Sequence, residues 1–178
     1  MSIDQTSLAS YIRSIPDFPK PGIVFRDITP LLASPAGLEA SIGGLVEIAR
    51  ELRPDVIIGP EARGFLLGPA IARDVGAGFV LARKPGNLPH ETVSADYALE
   101  YGSDALELHA DAITPGARVL VHDDLLATGG TARALCALVE QLGGTVVGCA
   151  FLIELAFLGG RERLAPHDVR ALISYDAE

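Results

Sequence analysis

Short apolar runs alternating with amphipathic stretches constrain this chain more than any other feature. Residues 55–59 (DVIIG), 78–83 (GFVLAR), 119–124 (VLVHDD), 145–155 (TVVGCAFLIEL) and 169–175 (VRALISY) read as buried strands. Between them, 64–76 keeps a helical pattern despite Pro69. The segment 131–144 puts Leu135, Leu138, Val139 and Leu142 on one helical face before a Gly-Gly stop. Upstream, Ser34 and Pro35 supply an N-cap and a first-turn proline for a helix carrying Leu38, Ile42, Leu45 and Ala49 at helical spacing. Strands alternating with helices imply an α/β fold with a mostly parallel central sheet and flanking helices. Ligands of such sheets bind beyond the carboxyl ends of the strands, so the residues that follow each strand are the ones to read for chemistry.

No repeat, low-complexity tract or linker divides the 178 residues, and a single domain is expected. With 49% hydrophobic and 21% charged residues, the chain has the profile of an ordinary globular protein. It contains no apolar run long enough to span a bilayer. Its first residues lack the basic start and apolar stretch of a signal peptide, so a cytoplasmic, non-membrane protein is expected. The formal net charge of −9 argues against a nucleic-acid partner. It leaves room for a small phosphorylated ligand, because backbone N–H groups at a helix start can bind phosphate unaided. Cys136 and Cys149 fall in apolar stretches without metal-ligand spacing and read as small buried hydrophobes.

Two segments resist a regular reading. After a short helix expected over about 4–14, four prolines (Pro16, Pro19, Pro21, Pro30) exclude a long helix, while Ile23, Val24, Phe25 and Ile28 are too apolar for disorder. Residues 84–104 are polar, proline-bearing and aperiodic. A loop of that length in a compact domain is usually functional. SADYALEY and DALELHAD are compatible with a hairpin closed around Gly102-Ser103.

The sharpest chemistry lies in VLVHDDLLATGGTA (119–132). An apolar strand ends in Asp123 and Asp124, a short loop Leu125-Leu126-Ala127 follows, and Thr128-Gly129-Gly130-Thr131 leads into a helix. The glycines allow close backbone approach to a ligand. The helix start offers unpaired N–H donors and a positive dipole end, and the threonines add hydroxyls. These groups suit a phosphate dianion. The aspartates repel phosphate but suit the two hydroxyls of a ribose, or a nearby Mg2+. The loop is neither a Walker A sequence nor G-x-G-x-x-G. By itself TGGT is also what an ordinary strand-to-helix turn looks like.

Paired acidic residues before a threonine- and glycine-rich turn resemble the phosphoribosyl pyrophosphate (PRPP) motif of the type I phosphoribosyltransferases. DDLLATGGT is the form found in the adenine-specific branch. FPKPGIVFRDITPLL (18–32) and the GPEARGF turn (59–65) resemble the same branch, and the likeness runs from about residue 11 to 175. The resemblance implies a single domain in which about 1–34 form a small N-terminal hood over the base and about 84–104 form a mobile active-site loop. It implies transfer of the 5-phosphoribosyl group from PRPP to adenine, with Mg2+ accompanying PRPP and held mainly by it, in a homodimer. By the same resemblance, Ala127, Thr128, Gly129, Gly130 and Thr131 hold the phosphate, and Asp123 and Asp124 the ribose. Arg63, Lys84 and Arg83 contact pyrophosphate, Arg83 by acting across a dimer interface. Val24, Phe25 and Arg26 read adenine, Phe25 by stacking and Val24 through its backbone. Glu100 exchanges a proton with the base and Tyr101 closes the site.

Other readings of these residues stand beside that one. From the residues alone, Phe25 is also compatible with plain core, Arg26 with an ion pair to Asp27, and Glu100 with a solvated loop. Two departures from the family pattern are plain: Asn87 stands where a second lysine is usual, and His122 where an aliphatic residue is usual. The rival functions are transfer to another purine, against which VFRDIT speaks, and a non-catalytic nucleotide-binding regulator. A regulator of this kind usually carries a DNA-binding segment or basic face that this acidic chain lacks.

Overall fold

In the computed structural model, which describes residues 8–99 and 102–177, the chain begins with β1 (Arg13–Ile15), β2 (Phe25–Asp27), α1 (Thr29–Ala33) and α2 (Pro35–Leu52). β3 (Val56–Pro60), α3 (Gly64–Val75) and β4 (Gly78–Ala82) follow, then β5 (Thr92–Leu99) and β6 (Gly102–His109). The last part holds β7 (Arg118–Leu126), α4 (Gly130–Gln141), β8 (Thr145–Leu155), α5 (Gly160–Arg163) and β9 (Val169–Tyr175).

Five strands pair in the order β4-β3-β7-β8-β9, all of them parallel. Strand alternation divides the core in two. Ile58, Val119, Val121, Cys149 and Phe151 face α4 and the inner residues of β6. Ile57, Leu120, Ala150 and Leu152 face α2 and α3. Neighbouring residues on one strand therefore belong to different layers, as a two-residue period requires, and near-continuous apolar runs are what a sheet buried on both faces needs. Cys136 and Cys149 are buried and free. Their sulfurs lie 3.8 Å apart where α4 packs on β8. Among the described residues no helix is long and apolar enough to cross a membrane.

Three local expectations are corrected by long-range pairing. The first helix does not reach residue 14: Leu8 and Ala9 are helical, but Arg13–Ile15 is a strand whose Ser14 pairs with Arg26 of β2. The aperiodic 84–104 segment is largely β-structure. β5 and β6 form the hairpin, but in the register Leu99↔Gly102, so the connection falls at 100–101 and not at Gly102-Ser103. Finally, Leu125 and Leu126 are not loop: they continue β7 by pairing with Ile153 and Glu154 of β8.

His122 is wholly buried on β7. Its Nδ1 donates to the Ala150 carbonyl at 3.0 Å, and among the described residues its Nε2 has no hydrogen-bond partner. Burial lowers its pKa to about 4. An unfolded chain therefore takes up this proton near pH 6.5, while the folded one stays neutral down to about pH 4. Stability falls as pH drops through that window. His122→Leu is expected to raise stability at pH 7 by about 1–3 kcal/mol by removing the orphaned acceptor. It should also flatten the fall between pH 6.5 and 4. Urea midpoints at pH 7 and 5 check both; an unchanged pH slope would show that His122 finds a partner.

Candidate functional site

The strand order reverses between β3 and β7, since β4 continues from β3 to one side and β8 from β7 to the other. A crevice opens at the carboxyl ends of strands at such a switch point. Arg63 follows β3, and Asp123 and Asp124 lie near the carboxyl end of β7, just before Leu125 and Leu126. With Leu125 to Ala132 they line a cavity of about 170 Å³. A second cavity of about 190 Å³ adjoins it, sharing Arg63, Asp123, Asp124 and Thr131 and adding Glu61 and Tyr97.

The phosphate-loop geometry follows from its glycines. Gly129 has φ +81° and is the N-cap of α4, with no side chain capping the helix. α2 differs, because there Ser34 accepts from Gly37 N–H. The first N–H groups of α4 therefore point into the cavity mouth without a side-chain acceptor. A Cβ on Gly129 would also sit 2.8 Å from the Gly160 carbonyl oxygen. Gly160 is tighter still: its Cβ would come within 2.2 Å of the Ala127 carbonyl oxygen. Gly160 thus lets α5 pack under the loop, and sequence reading missed it. The one available signal was the Gly-Gly pair shortly after a strand whose end must lie beside that of β7.

Asp124 is buried and Asp123 half-buried. The Asp124 N–H donates to the Asp123 carboxylate at 2.9 Å. Arg63 Nε approaches Asp124 Oδ2 at 3.3 Å. Burial raises both carboxyls above the ordinary range. The Asp124 charge pushes Asp123 further up, and the Arg63 guanidinium acts in the opposite direction on both. The same guanidinium lies 5.6 Å from the centre of the Phe25 ring. Phe25, Arg63 and Asp124, far apart in sequence, thus form one contiguous run across the crevice.

The other candidate residues are distributed around this run. Phe25 is half-buried and packs edge-on against Phe18 at 5.2 Å; it belongs to neither core. The Arg26–Asp27 ion pair does not form, because adjacent strand residues point to opposite faces. Asp27 instead accepts from Thr29 and faces Arg13. Those Thr29 hydrogen bonds, with Arg13, hold its carboxyl below the usual range. Arg26 turns to Ser14 and stacks over the Tyr175 ring at 4.0 Å. Val24 lies just before β2 and lines neither cavity.

On the far side of the crevice, Arg83 Nε donates to Glu61 at 2.5 Å. Its Nη1 donates to the Asn87 carbonyl, and the Asn87 amide donates to Glu61 at 3.1 Å. Asn87 therefore completes the Arg83–Glu61 pair. Lys84 donates to Asp104 and to the Tyr97 hydroxyl at 3.1 Å. Tyr97 and Asp104 face each other across the hairpin, a proximity no local pattern announces. Glu100 and Tyr101 lie outside the described residues. Among the described residues, no three carboxylate, histidine or cysteine side chains are grouped to hold a metal ion.

Because its carboxyl is pushed up, Asp123 holds its proton to higher pH when folded than unfolded. Ionising it on folding therefore destabilises the protein as pH rises through the folded value. Asp123→Asn keeps the acceptor for the Asp124 N–H and removes the charge. It should stabilise the free protein at pH 8 by roughly 0.5–2 kcal/mol, with the gain vanishing near pH 4. Chemical denaturation at the two pH values checks this; a gain equal at both would show that repulsion is not its source.

Comparison with known families matches residues 27–172 to the phosphoribosyl transferase domain. The adenine phosphoribosyltransferase of Rubrobacter xylanophilus is 61% identical over 165 residues, spanning 92% of this chain and 89% of that protein. The crystal structure of adenine phosphoribosyltransferase from Thermoanaerobacter pseudethanolicus superposes with a TM-score of 0.94 at 50% identity, covering 97% of this chain and 100% of that one. The Saccharomyces cerevisiae adenine phosphoribosyltransferase, complexed with an imino-altritol bisphosphate and adenine, superposes with a TM-score of 0.89 at 40% identity, covering 95% and 98% of the two chains.

Proposed function

The chain belongs to the phosphoribosyltransferase family, in its adenine-specific branch, and from that premise we propose how its crevice carries the reaction. The enzyme transfers the 5-phosphoribosyl group of PRPP to adenine, giving AMP and pyrophosphate in purine salvage. The observation that carries the reading is the run Phe25–Arg63–Asp124 beside the uncapped start of α4.

In this reading Ala127 to Thr131 hold the 5′-phosphate through backbone N–H groups and threonine hydroxyls. Asp123 and Asp124 accept from the ribose hydroxyls and stand near the positive charge that grows on the ring as pyrophosphate leaves. Arg63 exchanges Asp124 for the departing pyrophosphate, and Lys84 joins it by leaving Asp104. Arg83 is fixed by Glu61 and Asn87, poised for a ligand bound by a partner subunit. Val24 reads the adenine edge through its backbone, Phe25 stacks on the ring, and Arg26 holds the loop. A site built on hydrogen bonds of fixed polarity rejects a base that reverses them, because buried groups would be left unpaired. Glu100 balances the proton of adenine, and Tyr101 with the 84–104 segment covers the site against water.

The donor set fits Mg2+ that arrives with PRPP: two adjacent carboxylates are at hand but no third. The ion supplies neutralising charge to the leaving group when bound. We propose a homodimer, supported by Leu66 and Leu81, which are 48% and 44% exposed on α3 and the edge strand β4. We also propose a single functional domain, with residues 1–34 as hood, working in the cytoplasm.

Initial rates with PRPP and Mg2+ should show pyrophosphate release with adenine and not with hypoxanthine, guanine or xanthine. Phe25→Ala should raise KM for adenine about 5- to 150-fold, the range for one lost stacking contact, and leave KM for PRPP nearly unchanged. Preference for another base would overturn the base-site assignment. Undiminished activity of Asp123→Ala would overturn the ribose assignment.

A further inference from the structure

Arg26 sits in the middle of β2, between Phe25 and Asp27, and strand alternation turns its side chain away from theirs. On that opposite side two contacts hold it. Nη1 donates to Ser14 Oγ at 2.5 Å, and the guanidinium carbon lies 4.0 Å from the centre of the Tyr175 ring. Ser14 is the cross-strand partner of Arg26, so the first contact is internal to the β1–β2 ribbon. The second leaves the ribbon. Tyr175 is the last residue of β9 and pairs with Leu155 of β8, so it is anchored in the central sheet. The ring offers its face; among the described residues its hydroxyl makes no hydrogen bond.

A two-stranded ribbon of three residues per strand is too short to hold its own orientation. Its roll about the strand axis decides where the Phe25 ring faces and where the Val24 backbone points. The Arg26–Tyr175 stack acts on that roll from the side opposite Phe25. We propose that Tyr175 is a positioning residue for the base. Through Arg26 it sets the angle of β2, and so the height and tilt at which Val24 and Phe25 meet adenine. The inference rests on the reading of Val24 to Arg26 as the base-binding segment. It makes the C-terminal strand part of base recognition without contact between Tyr175 and the substrate. The phosphate loop takes its shape elsewhere, from Gly129 against Gly160, so phosphoribosyl binding is independent of Tyr175.

Tyr175→Leu and Tyr175→Phe separate this role from a structural one. Leu removes the aromatic face and is expected to raise KM for adenine about 3- to 30-fold, the range of a partly desolvated cation–π contact. KM for PRPP and kcat should stay within about twofold of the parent. Phe keeps the face and should restore the parent KM for adenine. In the Arg26→Met background, Tyr175→Leu should add little, because the contact is already gone. An unchanged adenine KM in Tyr175→Leu would overturn the proposal, as would a parallel rise in both KM values with a lowered melting temperature. Equal damage in Tyr175→Phe would overturn it too, since the hydroxyl would then be the active group. Phe25→Ala, measured alongside, tests the underlying reading: if it leaves the adenine KM unchanged, the base site lies elsewhere. If Phe25→Ala raises it and Tyr175→Leu does not, only the positioning role fails.

Discussion

Two adjacent carboxylates at the end of a central, buried strand form the constraint around which the site is organised. β7 lies between β3 and β8, and near its carboxyl end Asp124 is buried and Asp123 half-buried. Alternation sends the two side chains to different sides of the sheet. Burial raises both, and their mutual repulsion adds to Asp123. A fold keeps such a pair only if something else compensates. Arg63, delivered by the turn after β3, supplies part of the compensation, and the uncapped N-terminus of α4 keeps a positive dipole end at the same crevice. In the proposed reading, ribose hydroxyls that donate to the pair relieve the remaining repulsion.

The mouth of the crevice obeys a related rule. Each cation assigned to pyrophosphate rests on a carboxylate: Arg63 on Asp124, Arg83 on Glu61, Lys84 on Asp104. In a chain of net charge −9, these pairs keep local cations available for an anionic substrate. They are not equivalent. Lys84 is partly exposed, and exposed pairs contribute about 0–1 kcal/mol, so it changes partners easily. Asp124 is buried, and removing its counter-charge without replacement is far costlier. Arg63 can therefore turn to pyrophosphate only when other donors, such as ribose hydroxyls, take its place at Asp124. In the proposed reading, binding of ribose and of pyrophosphate are thereby coupled through this one arginine.

The parallel sheet and the glycine turn between β7 and α4 were legible in the sequence because both are contiguous. A strand, a glycine turn and a helix start are written within Val119 to Ala132. Features that depend on distant pairing were not. Arg13 and Ser14 looked helical until β2 supplied strand partners, and the hairpin register was misplaced because turn chemistry at Gly102-Ser103 was weighed without cross-strand contacts. Asn87 read only as a departure from a usual lysine; in three dimensions it braces Glu61 and Arg83. Gly160 carried only the weak signal of a Gly-Gly pair and Tyr175 carried none, since what makes them important is Ala127 and Arg26, 33 and 149 residues away respectively.

That contrast explains why the two halves of the site are built differently. A phosphate presents the same oxygens whatever it is attached to, so one continuous segment with a fixed backbone suffices to bind it. A base must be distinguished from its isosteres by the polarity of single edge atoms, and a backbone that reads them must be held to a fraction of an ångström. The VFRDIT segment sits on a ribbon too small to provide that rigidity by itself. In the proposed reading its precision is borrowed from the sheet through Arg26 and Tyr175 and from the crevice through Phe25 and Arg63, which are in contact pairwise. On the proposed reading, specificity for the base is thus a property of residues spread from Ser14 to Tyr175, whereas phosphate binding resides almost entirely in one turn.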